Sequence, residues 1–222
     1  FIHLENLRNL YLNINLLREL NSDMFIGLEN LQNLQVDYNK LSVIDSTTFQ
    51  FLPNLQSISL QFNYITSIEA NSFKNQGVLT EIDLNNNQLT EIDEDSFNGL
   101  SNLFQINLQG NQIESIAAGA FSDMSSIMYI ALSYNKITSL NSGVFNGLEM
   151  LSMIDLGSNR LVDIEGAFNG LTNLQSLYLS NNLLDSVNNR TFANLDNLVE
   201  LDLAFNPLNS VENGSLEQLT EL

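Results

Sequence analysis

The sequence contains no cysteine and no tryptophan, and its 222 residues include only two prolines and one histidine. Without cysteine, this stretch cannot form a disulfide, a thiolate metal site or a cysteine nucleophile. The single histidine, His3, could pair only with a distant serine, so we expect it to be an ordinary exposed residue. We therefore predict no active site, no metal site and no cofactor here, and an enzyme would need a catalytic domain outside this sequence.

Positive charge is also scarce. Lys and Arg number 7 against 26 Asp and Glu, which gives a formal net charge of −19 at pH 7. Such a field repels phosphate backbones and anionic membrane surfaces, so we expect no nucleic-acid partner and no direct membrane contact from this segment. A neutral or basic protein partner fits better. Because 44% of the residues are hydrophobic and only 15% are charged, the chain is expected to fold rather than stay disordered.

Long apolar runs are missing as well. No segment approaches the roughly 18 apolar residues that a membrane-spanning helix requires, and the opening residues do not form a secretory signal peptide. A signal peptide or a membrane anchor would therefore have to lie outside this sequence.

What the sequence has in abundance is one pattern that recurs every 24 residues. The segment from Leu79 to Leu103 shows it as LxxIxLxxNxLxxI, followed by Phe97 and Leu100. Nine units open at Leu7, Leu31, Leu55, Leu79, Leu103, Ile127, Leu151, Leu174 and Leu198. We call each position of a unit a slot and count slots from the opening residue. The ninth slot is always Asn, at Asn15, Asn39, Asn63, Asn87, Asn111, Asn135, Asn159, Asn182 and Asn206. A Phe column runs through Phe25, Phe49, Phe73, Phe97, Phe121, Phe145, Phe168 and Phe192, with Leu216 in the ninth unit.

The pattern has a few irregularities. Gln76 and Met124 occupy Leu slots, and the seventh unit is one residue shorter between Ile164 and Phe168. The sequence opens with the Phe and Leu slots of a preceding unit, and Leu222 would open a tenth. We therefore expect residues 1–222 to be a single domain of nine full repeats, truncated at both ends and without caps.

A period of this length is typical of a stacked solenoid, because one unit cannot bury its own apolar residues while neighbouring units bury each other's. The pattern resembles the leucine-rich repeat family over the whole chain. Its 24-residue length and Phe column are similar to the typical subclass of that family, common in extracellular animal receptors and matrix proteins. The resemblance implies an α/β repeat solenoid, a horseshoe with a parallel concave β-sheet and an irregular or short helical convex side. It also implies an extracellular or cell-surface location, with a cytoplasmic one as the alternative.

The residue type at each recurrent slot has a physical explanation. Alternation around Ile82 and Leu84 predicts a short strand with these side chains inward and Asp83 and Asn85 on the concave side. The recurrent Asn amide can both donate to and accept from backbone groups that lose their ladder partners where the strand ends, so a ladder of stacked Asn side chains is expected. The Phe column is expected to seal the core on the convex side.

The binding candidates are the aromatic and acidic residues of the concave slots. Tyr38 and Phe62 share the eighth slot in adjacent units and predict a two-ring patch. A second patch is expected from Tyr129 and Tyr134 in the sixth unit with Tyr178 and Phe205 further on. The full candidate set is Tyr38, Phe62, Asp83, Tyr129, Tyr134, Asp155, Tyr178, Asp202 and Phe205. The alternatives are that the eighth-slot rings merely pack on their neighbours at the sheet margin, and that the acids are ordinary solvated charges.

Two further features lie in the outer turns. The carboxylates of the acidic run Glu91 to Asp95 are of the type that binds calcium. Their spacing fits no metal-binding loop, so we prefer the alternative that they are solvated surface charges. Asn189 and Asn213 open N-glycosylation sequons, which permit secretion without demonstrating it. They are the possible glycosylation sites.

Together these observations predict a recognition module that binds another protein through its concave face, within a receptor, cell-adhesion or matrix-type glycoprotein with a role in signalling. The alternative is an intracellular or microbial repeat scaffold of the same architecture without a receptor role. The identity of the ligand and the oligomeric state do not follow from the sequence.

Overall fold

The computed structural model describes residues 3–217, 219 and 221. Each of the nine units contributes one three-residue strand at its third to fifth slots, where alternation of polar and apolar side chains favours extended backbone. In chain order the strands are β1 (Asn9–Tyr11), β2 (Asn33–Gln35), β3 (Val43–Ile44), β4 (Ser57–Ser59), β5 (Ser67–Ile68), β6 (Glu81–Asp83), β7 (Glu91–Ile92), β8 (Gln105–Asn107), β9 (Ser115–Ile116), β10 (Tyr129–Ala131), β11 (Met153–Asp155), β12 (Ser176–Tyr178), β13 (Ser186–Val187), β14 (Glu200–Asp202) and β15 (Ser210–Val211).

The three-residue strands form one parallel sheet in the order β1-β2-β4-β6-β8-β10-β11-β12-β14. The register pairs identical slots of successive units, as in Leu34 with Ile58. The two-residue strands form three separate parallel pairs, β3-β5, β7-β9 and β13-β15. The helix found within the described ranges is a single 3₁₀ turn, Ser22–Phe25, and none there is long and apolar enough to cross a membrane. This architecture confirms the predicted solenoid with a parallel concave sheet and an irregular convex side.

The core runs the length of the solenoid as rows of identical slots. Ile82 and Leu84 are buried while Glu81 and Asp83 on the same strand are accessible, as the alternation predicts. The Phe column is buried from Phe25 to Phe192. Between Phe49 and Phe168, successive rings lie 5.4 to 6.2 Å apart, centroid to centroid. A continuous stack of rings therefore replaces regular structure as the seal of the convex side.

The recurrent Asn side chains link each unit to the one before it. The Nδ2 of Asn111 donates to the carbonyls of Leu108 and, one unit back, Leu84, both at 3.0 Å. Its Oδ1 accepts from the Leu89 N–H at 3.1 Å. Eight Asn residues, Asn111 included, make this cross-unit donation. Asn15 is the exception to the predicted nine-member ladder, because it is exposed and donates only within its own unit.

The irregular slots are absorbed without disturbing the sheet. Despite the missing residue in the seventh unit, Met153 still pairs with Ser176 and the Phe145 and Phe168 rings still lie 6.2 Å apart. The shortened turn therefore lies outside both the sheet and the ring stack. Gln76 is buried in its Leu slot, where its Nε2 donates to the Phe49 carbonyl at 3.0 Å.

Candidate ligand-binding surface

The surface with the most unusual composition is the concave face, defined as the side chains in the third, fifth, seventh and eighth slots of the nine units. These slots hold no lysine and no arginine. They hold six acids, Asp37, Glu81, Asp83, Asp155, Glu200 and Asp202. Because strands lie about 4.8 Å apart, like charges in nearby units reinforce one another along this face. The concave face is therefore negative along most of its length.

The eighth slot has a backbone conformation that the repeat pattern alone did not predict. All nine residues in it are left-handed, with φ between 52° and 68°: Ile14, Tyr38, Phe62, Asn86, Gly110, Tyr134, Ser158, Asn181 and Phe205. This region suits Gly and Asn, whereas it costs most other residues about 1–2 kcal/mol. The Gly and Asn residues in the eighth slot are the sequence signal that could have indicated its left-handed backbone. The large apolar side chains in this column gain little burial in return, since Ile14, Tyr134 and Phe205 are 74%, 63% and 82% exposed.

Tyr38 and Phe62 form the expected two-ring patch. Their ring centroids lie 4.4 Å apart and the planes differ by 7°, so the rings stack face to face. The rings pack on each other, as the marginal-packing alternative holds, yet Tyr38 stays 50% exposed and Phe62 41%. Beside them, the Oε1 of Gln61 is buried and lacks a hydrogen-bond partner within the described part of the chain. The pair thus presents a flat aromatic surface next to an unused acceptor.

Candidates from units six to nine meet in a second place. A depression of about 300 Å³, called here the tyrosine pocket, opens on the concave face. Its lining residues are Gln109, Ser133, Tyr134, Asp155, Gly157, Ser158, Tyr178, Ser180, Asn181 and Asp202. Four predicted candidates are thereby brought together. Tyr129 and Phe205, the other two members of the expected second patch, are not among the lining residues, and Phe205 is 82% exposed.

The carboxylates of the fifth slot are held in a fixed direction. Oδ1 of Asp155 accepts from the N–H of Gly157 at 3.0 Å, and Oδ1 of Asp202 accepts from the N–H of Ala204 at 2.9 Å. Asp83 makes the same contact two residues ahead, at 3.0 Å. These turns orient each side chain through one oxygen. The second oxygen of Asp155 and of Asp202 has no hydrogen-bond partner among the described residues.

Several ionisable groups on the face have shifted pKa values. The Tyr178 hydroxyl donates to the Glu200 carboxylate at 2.6 Å, and this bond raises the pKa of Tyr178. Burial, with the negative charge of Asp155, raises the pKa of Tyr129. Burial also raises the pKa of Asp83, against the opposing effect of its hydrogen bonds from Asn85. The two tyrosines therefore stay protonated at neutral pH and remain hydrogen-bond donors.

A second Asn column lies just before the opening Leu of most units and was missed in the sequence. Asn54 donates to the Glu29 carbonyl at 2.8 Å, and Asn197 donates to the Thr172 carbonyl at 2.6 Å. Asn30, Asn102 and Asn173 make equivalent bonds. The Asn-Leu dipeptide that starts these units is the signal that could have found it. These bonds span adjacent units, so the column is structural.

The remaining sequence candidates lie away from the concave face. Asn189 and Asn213 are exposed in outer turns, as are the acids of the Glu91 to Asp95 run. His3 is exposed as well. Within residues 3–217, 219 and 221, no group of three or more His, Cys, Asp or Glu side chains is placed to hold a metal ion.

Comparison with known proteins agrees with this architecture. A family model described as leucine rich repeat matches residues 5–65, 53–113, 108–161 and 163–222. No curated protein sequence matches the chain. Among solved structures, a TLR13 complex with the single-stranded RNA ssRNA13 is 24% identical over 99% of this chain and 35% of that one, with a TM-score of 0.83. The glycosylated Drosophila Toll–Spätzle complex is 22% identical over 91% of this chain and 30% of that one, with a TM-score of 0.72. The chain thus spans about a third of the structures it resembles.

Proposed function

The chain belongs to the leucine-rich repeat family, and on that premise we propose that it is a protein-binding recognition module of a receptor-type protein, with the concave face as its binding surface. One observation carries the proposal: large aromatic side chains are kept exposed in a strained left-handed backbone on this face. Exposed aromatics of this kind anchor protein interfaces. Cell adhesion and matrix assembly are narrower forms of the same role. An intracellular or microbial scaffold is the alternative.

The partner that fits this surface is a protein with a basic or neutral contact region. Six acids and no base on the concave face would attract Lys and Arg. The same field opposes a phosphate backbone, whose binding depends on Lys and Arg contacts. One structurally similar protein forms a complex with single-stranded RNA, so the fold by itself does not exclude such a ligand. The exclusion of nucleic acid that we propose rests on charge alone.

We place the module on the extracellular or endosomal-lumen side of a membrane. The similar structures are Toll-type receptors, one of them in glycosylated form, and both sequons here are exposed away from the concave face. When the chain is expressed behind a signal peptide in animal cells, Asn189 and Asn213 should carry glycans. Peptide N-glycosidase should then increase its gel mobility, and the double Asn→Gln variant should show no change. Unmodified wild type would contradict this location.

We also propose that residues 1–222 act as one repeat domain without catalytic activity. The nine-stranded sheet continues without a break from β1 to β14, which supports a single unit. The chemistry available on the concave face is that of hydrogen bonding, ring contact and charge attraction.

The test of the binding surface uses a displayed library of random peptides, selected on the wild-type chain. Selected peptides should be rich in Lys and Arg. Their affinity should fall by about tenfold or more when Tyr38, Phe62 and Tyr134 are replaced together by Ala, since each exposed ring is an interface anchor. The circular dichroism spectrum should not change.

The matched control replaces three exposed apolar residues off the concave face, Val43, Met150 and Val162, with Ala. It should bind the selected peptides like the wild type. Equal affinity for both triple variants would refute the concave-face assignment. A single-stranded RNA oligonucleotide serves as the second probe, and its specific binding at physiological salt would refute a protein partner in favour of nucleic acid.

A further inference from the structure

We infer that the tyrosine pocket is a recognition site for a single arginine side chain of the partner, an inference that rests on the proposed function of the concave face. The pocket combines a ring surface, two oriented carboxylates and an unused buried hydroxyl. Each of these features matches a different part of a guanidinium group, which is planar, positively charged and rich in N–H donors.

The carboxylates are placed on either side of a tyrosine ring. Asp155 pairs in register with Tyr178, which in turn pairs with Asp202. The two acids therefore lie one strand to each side of Tyr178, about 10 Å apart along the sheet. Each is held by a turn through Oδ1, which leaves Oδ2 to accept from a ligand. A planar cation beside Tyr178 therefore has a carboxylate next to it on whichever flank it approaches.

The rings supply the second part of the site. Tyr134, which is 63% exposed in the left-handed eighth slot, and Tyr178 both line the pocket. The faces of tyrosine rings attract cations, and arginine uses this contact more often than lysine because its guanidinium also stacks. The Tyr178 hydroxyl is already engaged by Glu200, which holds the ring in place and adds a third carboxylate beside it.

The third part is a buried hydroxyl without a partner. Ser133 lines the pocket and is only 3% exposed, yet its Oγ makes no hydrogen bond to any residue that the structure describes. Buried polar groups are almost always satisfied, so an orphan beside an open pocket points to a ligand donor. Ser133 lies in the unit next to that of Asp155, so an arginine that contacts Asp155 has further N–H groups to donate to this oxygen.

The experiment titrates the ¹⁵N-labelled chain with a short glycine-flanked peptide that carries one arginine, and follows the backbone amides by NMR. The amides of Gly157 and Ala204 should shift most, because they donate to Asp155 and Asp202. The peptide with citrulline in place of arginine, which is neutral but similar in shape, should produce no shifts. The lysine peptide should bind several-fold more weakly.

The double variant Asp155→Asn with Asp202→Asn keeps the oxygen that each turn requires, so it should fold normally while binding the arginine peptide about tenfold more weakly. Ser133→Ala should weaken binding by a smaller factor. The control is Asp163→Asn, which removes one carboxylate charge from a similar turn in the seventh unit, off the concave face, where Oδ1 accepts from the Glu165 N–H. It is matched to each single variant, Asp155→Asn and Asp202→Asn. Its affinity should equal that of the wild type.

The outcomes separate this pocket from the broader function. Shifts spread evenly along the concave face, with no loss in the double variant, would overturn the pocket and leave the acidic concave face as a diffuse binding surface. Equal binding of lysine and arginine peptides would overturn the arginine assignment. Shifts confined to the convex side, or no shifts at all, would overturn the pocket; the peptide-library test then decides the proposed function separately.

Discussion

Replacing the buried Asn111 by Ala should destabilise the protein, as should the loss of any other buried Asn that makes the same cross-unit bonds. The substitution removes the acceptor of the Leu89 N–H and the donor to the carbonyls of Leu84 and Leu108. These bonds are buried, so water cannot replace the lost partner. A buried backbone group without a partner costs about 1–3 kcal/mol. The Leu84 and Leu108 carbonyls keep bonds from Asn87 and Asn135 at 3.0 Å, so the Leu89 N–H is the group left without a partner. The expected loss is therefore about 1–3 kcal/mol.

The assay is urea denaturation followed by circular dichroism, with the midpoint and the slope fitted separately. Asn15→Ala is the matched control, because Asn15 makes its two bonds at an exposed site and only within its own unit. It should cost less than about 1 kcal/mol, since water replaces the amide. Amide hydrogen exchange should also accelerate at Leu89 in Asn111→Ala, because this N–H loses its acceptor. A free energy of unfolding for Asn111→Ala within about 1 kcal/mol of the wild type would refute the ladder as a stabilising element.

Three more predictions concern other parts of the solenoid. Phe97→Ala should lower the free energy of unfolding by about 3–5 kcal/mol in the same urea assay, because this buried ring is stacked between two others; a loss below about 1 kcal/mol would contradict the ring stack as a seal. Tyr134→Asn should raise the free energy of unfolding by about 1 kcal/mol while weakening peptide binding, since Asn tolerates the left-handed backbone; a lower stability would contradict the strain argument. Because the pKa of Tyr178 is raised in the folded state, its hydrogen bond should contribute stability fully below the ordinary tyrosine pKa of 10.0 and lose it as pH rises through the folded value. Glu200→Gln should lower that pKa in an ultraviolet phenolate titration, and an unchanged titration would exclude the carboxylate as the cause.

The binding surface was only partly predictable from the sequence. Slot periodicity correctly placed Tyr38 next to Phe62, because identical slots of adjacent units lie side by side in a parallel sheet. It did not bring Phe205 into the lining of the tyrosine pocket, although Phe205 occupies the same slot as Tyr134. Phe205 lies three units further along this row than Tyr134, so a shared slot does not by itself bring two residues together.

Other features depend on contacts between units that no single repeat reveals. The hydrogen bond from Tyr178 to Glu200 joins two different slots of adjacent strands. The Ser133 hydroxyl is unsatisfied because no described residue near it offers a hydrogen-bond partner. The strain in the eighth slot is likewise a property of backbone angles. The pattern around it records only the residue types, with Gly110 and two asparagines as weak signals.

The sequence by itself determined the solenoid, its strand register, its buried rows and its negative charge, because a 24-residue period places the same side-chain chemistry at the same height in every unit. Only the tertiary structure decided which accessible residues meet in one pocket, which polar atoms stay unsatisfied and where the backbone is strained. These properties depend on the side-chain directions and hydrogen bonds of particular neighbouring units. The repeat is constant along the chain and specifies the scaffold, whereas the departures from it are local and specify the site.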